Sequence, residues 1–157
     1  MSKSTPATLA LTRAGAVFTL HAYDYDPSAD RIGLQAAEAL GEAPARVLKT
    51  LMTRVDGKPV CVVLASDKAV AMKKLAAAVG GRSAEMMPPA EAERMTGYRI
   101  GGVSPFGQKR KVMTVLDRTA LGEPYVFVNA GQRGLQARLA PEALSQALEA
   151  TIADIST

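Results

Sequence analysis

The segment that most restricts the fold is "VLKTLMTRVDGKPVCVVLAS", residues 47–66. Two apolar runs, about 47–55 and 59–65, flank the tripeptide Asp-Gly-Lys. An Asp-Gly pair between two β-prone runs is a strong signal for a tight hairpin turn. We therefore predict an antiparallel hairpin here, and the rest of the fold has to be built around a sheet.

Helical and strand signals alternate along the remaining sequence, with no internal repeat and no linker. Their interspersion predicts a single α+β domain over residues 1–157, with a mixed sheet. Helices are predicted over 5–14, where Thr5 is the cap, and over 34–41, 67–81, 88–97 and 141–155. Further strands are predicted over 16–23, 84–87, 111–117, 124–131 and 135–140.

Composition narrows the kind of core and the kind of partner. Hydrophobic residues make up 48% of the chain but aromatic residues only 4%, so we expect an aliphatic core. The formal net charge of +4 fits a nucleic-acid partner, although a mild basic excess is also common without one.

Cysteine content and hydropathy exclude several other classes. Cys61 is the only cysteine, which rules out a disulfide within the chain and a cysteine-rich metal site. The first 15 residues lack the apolar core of a signal peptide, and no run approaches the roughly 18–20 apolar residues that span a bilayer. We expect a cytoplasmic protein that does not enter a membrane.

Histidine and cysteine, on which Ser-His-Asp and Cys-His catalysis depend, are scarce. His21 is the only histidine and lies in a predicted strand, where a lone histidine is usually structural or solvent-facing. Cys61 lies within an apolar run, which favours a buried, inert thiol. A zinc site would depend on His21 and carboxylates alone, so we expect neither a metal nor a cofactor.

Lys49 interrupts the apolar run "RVLKTLM" and has two interpretations. It could be a solvated lysine on a half-exposed strand, the usual fate of lysine. It could also rise from the sheet into a cleft, where it would bind a phosphate or polarise a carbonyl as a point charge. The residues alone leave both open.

The glycine-rich stretch "RIGGVSPFGQKRKV", residues 99–112, is equally open. It has neither the spacing of a Walker A motif nor that of the dinucleotide fingerprint. Glycine and proline dominate surface turns, which is one interpretation. The other is that backbone N–H groups exposed by glycine bind an oxyanion.

Four segments resemble the YbaK family, also called the YbaK/prolyl-tRNA-synthetase-associated domain. They are "HAYDYDP" at 21–27, "RVLKTL" at 46–51, "TGYRIGGVSPFGQKRKV" at 96–112 and "VFVNAGQRGLQARLAPEAL" at 126–144. The resemblance covers essentially the whole chain. It implies a mixed, partly barrel-like sheet surrounded by helices, and the activity of free-standing trans-editing deacylases, the best known of which act on Cys-tRNA(Pro).

The resemblance also implies a set of site residues. The catalytic ones would be Lys49, Tyr23, Gly101 and Gly102, and the substrate-binding ones Ser104, Pro105, Gly107, Lys109, Asn129, Ala130, Gly131 and Gln136. Two positions depart from the well-studied members. Gln136 stands where they carry an acidic residue, and Gln132 where they carry a lysine.

The function implied is cleavage of the aminoacyl ester of mischarged tRNA, most of all Cys-tRNA(Pro), by attack of the substrate's own thiol. The partners would be the aminoacylated 3′ end of tRNA and, as a candidate, prolyl-tRNA synthetase. Three alternatives remain. They are an Ala-tRNA(Pro) editing hydrolase, a non-catalytic tRNA- or synthetase-binding module, and a nucleotide-binding enzyme, which the missing phosphate motif disfavours.

Overall fold

The computed structural model describes residues 4–28 and 32–157 and contains helices and strands in alternation. The helices are α1 (Pro6–Arg13), α2 (Ile32–Leu40), α3 (Met72–Ala78), α4 (Pro89–Thr96) and α5 (Pro141–Leu148). The strands are β1 (Thr19–Ala22), β2 (Leu48–Val55), β3 (Lys58–Ala65), β4 (Ala84–Met86), β5 (Met113–Asp117), β6 (Val126–Gln132), β7 (Leu135–Leu139) and β8 (Thr151–Ala153). Within the described residues, no helix has the length and apolar character needed to cross a bilayer.

The predicted hairpin is confirmed as β2 and β3. The two strands pair antiparallel from Leu48 opposite Ala65 to Val55 opposite Lys58. Between them Asp56 and Gly57 have φ angles of 52° and 81°, the positive values that a two-residue turn of this kind requires.

The strands form two sheets. The larger has the order β4-β2-β3-β5-β8, with β3, β5 and β8 parallel to one another and the other pairs antiparallel. The smaller is antiparallel, in the order β1-β7-β6. An isolated bridge between Val47 and Phe127 joins them. The predicted α+β fold with mixed pairing is confirmed.

The core is aliphatic, as the composition predicts, and lies on both faces of the larger sheet. One cluster packs that sheet against the smaller one through side chains such as Leu48, Leu116 and Val128. A second packs Val62 and Leu64 of β3 against α3. The larger sheet is therefore buried on both sides, which suits its parallel strands.

The last predicted helix is wrong beyond Leu148. Glu149 adopts a φ of 52°, which ends α5, and the chain then pairs with β5 as strand β8. The buried Asp117 carboxylate fixes the segment after α5, because it accepts hydrogen bonds from the Ile155 N–H and the Ser156 hydroxyl, both at 3.1 Å. A buried carboxylate needs such donors, so this long-range contact overrides the helical periodicity.

Helix α3 also begins later than predicted, at Met72 instead of near Asp67. The preceding residues are held in other pairings, since Val70 bridges to Ser156 and the Ala71 N–H donates to the Ile155 carbonyl at 2.8 Å. This leaves residues 66–69 as a turn beside the end of β3.

Helix α1 is tied to the smaller sheet through its cap. The Thr5 hydroxyl accepts the Thr8 N–H at 3.0 Å, as predicted for the helix start, and donates to the Ala130 carbonyl at 2.6 Å. Gly107 packs so tightly on the same turn that a Cβ there would overlap the Pro6 carbonyl. One hydroxyl thus anchors both the helix and its contact with β6.

We expect Thr5→Ala to lower the free energy of unfolding by about 1–3 kcal/mol, because a cap and a buried hydrogen bond are lost together. Urea denaturation followed by circular dichroism measures this. Thr5→Ser keeps the hydroxyl and should unfold close to wild type. Equal stability of the two variants would contradict the anchoring role.

Candidate functional site

The principal cavity opens along one edge of β2. Strand β4 pairs with β2 only from Thr53 to Val55. The smaller sheet contacts the same edge at Val47, the residue before β2, through the bridge to Phe127. Between these points the edge borders a cavity of about 660 Å³, within the usual range for small-molecule sites. Its walls comprise Tyr23, Leu34, Ala36, residues 47–52 and 66–69, Met86, Met87, Pro89, Ala92, Ile100, Gly101, Val103, Asn129 and Gln136.

Lys49 lies in this wall, which places it in a cleft. Burial lowers the pKa of its ammonium group, and the nearby Asp67 carboxylate opposes part of that shift. No carboxylate within the described residues comes within 4.0 Å of its amine. The cation is therefore available to an anionic or carbonyl group of a ligand.

Tyr23 and Gln136 approach the cavity from the smaller sheet. Tyr23 directly follows β1, where its N–H donates to the Gly134 carbonyl at 2.9 Å. Burial raises the pKa of its phenol, and the side-chain amide of Gln136 opposes part of that shift. Tyr23 therefore serves as a neutral hydroxyl group at ordinary pH.

The glycine loop contributes backbone donors. Gly101 lines the cavity with a φ of 91°, and Val103 lines it two residues later. Neither backbone N–H has a hydrogen-bond acceptor among residues 4–28 and 32–157. The Gly102 N–H, by contrast, donates to the Arg99 carbonyl at 2.8 Å. Gly101 and Val103, and not Gly102, carry the available amides.

Asn129 braces this loop. Its side-chain oxygen accepts the N–H groups of Gly131 and Gln132, at 2.7 and 3.2 Å. Its amide nitrogen donates to the carbonyls of Gly101 and Gln132, at 3.3 and 3.2 Å. Both ends of the amide are used within the protein, so Asn129 positions the loop from beside the cavity.

Six other predicted binding residues lie outside the cavity wall, namely Ser104, Pro105, Gly107, Lys109, Ala130 and Gly131. Ser104 is fully buried and accepts the Phe106 N–H, and Gly131 packs tightly against the ring of Tyr98. Lys109 is exposed and borders a shallower hollow with Arg94 and Arg110. Direct contact of these six with a substrate stays a prediction.

The structure adds wall residues that the sequence did not single out. One is Thr50. It directly follows Lys49 in the "RVLKTL" segment, so its position beside a predicted site residue could have indicated it. Three methionines, Met52, Met86 and Met87, form much of the apolar wall. Met86 and Met87 are adjacent at the end of β4 and Met52 lies on β2, so only the fold brings Met52 beside the other two.

The single histidine and the single cysteine lie outside this cavity. His21 packs edge-on against Phe127, with ring centroids 5.3 Å apart, and hydrogen-bonds Thr19 at 2.8 Å. Cys61 is fully buried, and burial raises the pKa of its thiol to about 12, as expected for an inert cysteine. Neither lines the cavity, so the site has no imidazole and no thiol of its own within the described residues.

The cavity brings together the half-buried cation of Lys49, two unpaired backbone amides and the phenol of Tyr23. These groups can bind a ligand that carries a polarisable acyl or phosphoryl group. The chain belongs to the aminoacyl-tRNA editing domain family, whose model matches residues 26–147. The resemblance to the YbaK family is confirmed by this match.

Individual relatives agree with the family assignment. A protein of Enterococcus faecalis, EbsC, named as a candidate Cys-tRNA(Pro)/Cys-tRNA(Cys) deacylase, is 38% identical over 138 residues, covering 86% of this chain and 84% of its own. The multifunctional Ser/Thr-tRNA deacylase ProXp-y of Escherichia coli is 32% identical over 85 residues, 52% of this chain and 51% of its own. A crystal structure described as a candidate trans-editing enzyme for prolyl-tRNA synthetase superimposes with a TM-score of 0.82 at 25% identity, covering 99% of each chain.

The pKa of Lys49 tests the geometry of the cavity. We expect it to lie below the ordinary lysine value, and Asp67→Asn to lower it further, because the carboxylate that favours the charged form is removed. An NMR titration of the methylated lysine side chains measures both values, with Lys49→Arg identifying the signal. Asp154→Asn, which removes the partner of Lys74, is the control and should leave Lys49 unchanged. An unshifted Lys49 pKa would place this side chain in solvent.

Proposed function

We propose that this protein is a trans-editing aminoacyl-tRNA deacylase, which cleaves the ester between a wrongly attached amino acid and the terminal ribose of tRNA. One observation carries the proposal: the Lys49 cation and the unpaired N–H of Gly101 line the same apolar cavity. The names of the relatives support it, since they describe deacylases of aminoacyl-tRNA.

The cavity supplies binding and electrostatic stabilisation. In this proposal the amides of Gly101 and Val103 donate to the ester oxygen as negative charge develops on it, and Lys49 neutralises that charge or holds the terminal phosphate. Aminoacyl esters are activated, so modest stabilisation of the transition state is sufficient. Asn129 keeps the two amides in place.

The attacking group would come from the substrate. In a cysteinyl ester the side-chain sulfur attacks its own carbonyl carbon, a cyclic thiolactone forms, and the ribose oxygen leaves with the thiol proton. Proximity contributes several kcal/mol to such an intramolecular step, roughly 7–11 when the geometry is ideal. The absence of an imidazole or thiol from the described cavity wall supports this route.

The tRNA body and a synthetase would be held by other surfaces. Arg94, Lys109 and Arg110 border the shallow hollow beside α4, and such basic groups suit RNA phosphates. We propose that the chain acts as one domain in the cytoplasm, where charged tRNA is found, and that prolyl-tRNA synthetase is its partner.

Deacylation of a panel of purified Cys-, Ser-, Thr-, Ala- and Pro-tRNA tests the activity. We expect a mischarged member to be cleaved and Lys49→Ala to slow that cleavage by about 100-fold or more, the usual effect of removing one oxyanion-stabilising group. Lys73→Ala, on the exposed face of α3, and Cys61→Ser are matched controls that should keep most activity. No turnover of any member, with RNA binding retained, would favour the non-catalytic module.

The identity of the cleaved amino acid tests the chemical route. Cys-tRNA should be cleaved faster than Ser-tRNA by more than the roughly 10- to 200-fold that a pocket achieves for a one-group difference. The advantage should appear in single-turnover rates and rise with pH, since a thiol ionises near neutral pH and a hydroxyl does not. Equal rates with Ser- or Ala-tRNA would replace substrate assistance by attack of water.

A further inference from the structure

Two buried polar atoms in the cavity wall have no hydrogen-bond partner. They are Thr50 Oγ1 and Gln136 Oε1, and within the described residues no other buried side-chain oxygen or nitrogen is left unpaired. Gln136 is only 4% exposed. Both residues line the cavity beside β2. Buried polar groups are nearly always paired, so this coincidence points to a ligand that supplies the missing donors.

The fold explains why neither atom finds a partner inside the protein. Gln136 is opposite Asn129 on one neighbouring strand and His21 on the other. The Asn129 amide is fully used by Gly101 and by the end of β6, and His21 bonds Thr19. Thr50 lies on the part of β2 that has no β4 neighbour. Neither oxygen is therefore paired by a neighbouring strand, and Gln136 Oε1 is unpaired even though the Tyr23 hydroxyl lies beside the Gln136 amide.

The number and kind of these atoms restrict the ligand. The Gln136 oxygen only accepts hydrogen bonds, and Thr50 Oγ1 accepts as well as donates. Filling both acceptors from one group takes two donor hydrogens. An amino or ammonium group has at least two and can donate to both oxygens. A hydroxyl has one, so it would donate to Gln136 and accept the Thr50 O–H. We choose the amine because every aminoacyl ester carries it next to the reacting carbonyl.

We propose that Thr50 and Gln136 bind the α-amino group of the aminoacyl moiety, so that the cavity recognises an amino acid through the one donor that every aminoacyl ester carries. This inference rests on the proposed function for its substrate class. It assigns the two oxygens to the common part of the substrate, and it leaves the apolar wall to contact the side chain.

The test uses two stable probes that contain an amide in place of the ester and so need no catalysis. They are 3′-alanylamino-3′-deoxyadenosine and its 3′-propionylamino counterpart, which lacks only the α-amino group. Calorimetry gives both dissociation constants. We expect the amine-bearing probe to bind wild type about 10-fold or more tightly, because without it two buried acceptors stay unpaired.

Isosteric variants show whether Thr50 and Gln136 cause the preference for the amine-bearing probe. Gln136→Met and Thr50→Val remove one acceptor each, and each should reduce the affinity ratio of the two probes towards one. Gln136→Glu and Thr50→Ser keep an acceptor and should preserve it. Thr114→Val, on β5 and outside the cavity, is the matched control for a threonine-to-valine change. Because the two oxygens contact one group, the double variant should lose less than the sum of the single losses.

Equal affinity of wild type for the two probes overturns the proposal, as does a ratio that Gln136→Met and Thr50→Val leave unchanged. A side-chain hydroxyl as the true donor would appear as tighter binding of the seryl than of the alanyl probe, with no dependence on the α-amine, and that also overturns it. Amine-dependent binding without turnover of any aminoacyl-tRNA keeps this site and rejects the deacylase activity.

Discussion

The amide of Asn129 is the contact on which the site depends. It binds the carbonyl of Gly101 through its nitrogen and the N–H groups of Gly131 and Gln132, at the end of β6, through its oxygen. Arg133 strengthens the same junction by donating to the Ile100 carbonyl at 2.9 Å. Residues far apart in sequence are thereby fixed around one cavity, and the backbone amide of Gly101 is held in the positive-φ conformation that suits glycine.

The positive charge of Lys49 is only partly balanced within the cavity wall. Lys49 sits in a partly desolvated wall where only Asp67 offers an opposing charge. Partial burial of a cation is unfavourable until an anionic or electron-rich group approaches it. Binding of such a group therefore gives the Lys49 cation an electrostatic partner. The same reasoning applies to the unpaired amides and oxygens around it.

Local signals predicted the local parts of the fold. Asp56-Gly57 gave the hairpin and Thr5 the start of α1, because turn and cap chemistry act within a few residues. The predicted helix beyond Leu148 is wrong because Asp117, over 30 residues earlier, accepts a hydrogen bond from the Ile155 N–H. The site divides similarly. The resemblance to a known family predicts Lys49, Tyr23, Gly101 and Gln136 as site residues. The place of Thr50 in the cavity wall depends on the pairing of β2 with β4, which no local signal predicts.

The three methionines in the cavity wall make the site sensitive to oxidation. Met86 is 46% exposed, and it stands beside the buried Met52 and Met87 in the wall. Thioethers adapt their shape to different ligands, but peroxide converts them to sulfoxides, which are polar and bulkier. Oxidation would begin at Met86 and turn an apolar surface into a hydrated one. Quality control by this cavity would then decline under oxidative stress, and methionine sulfoxide reductases would restore it.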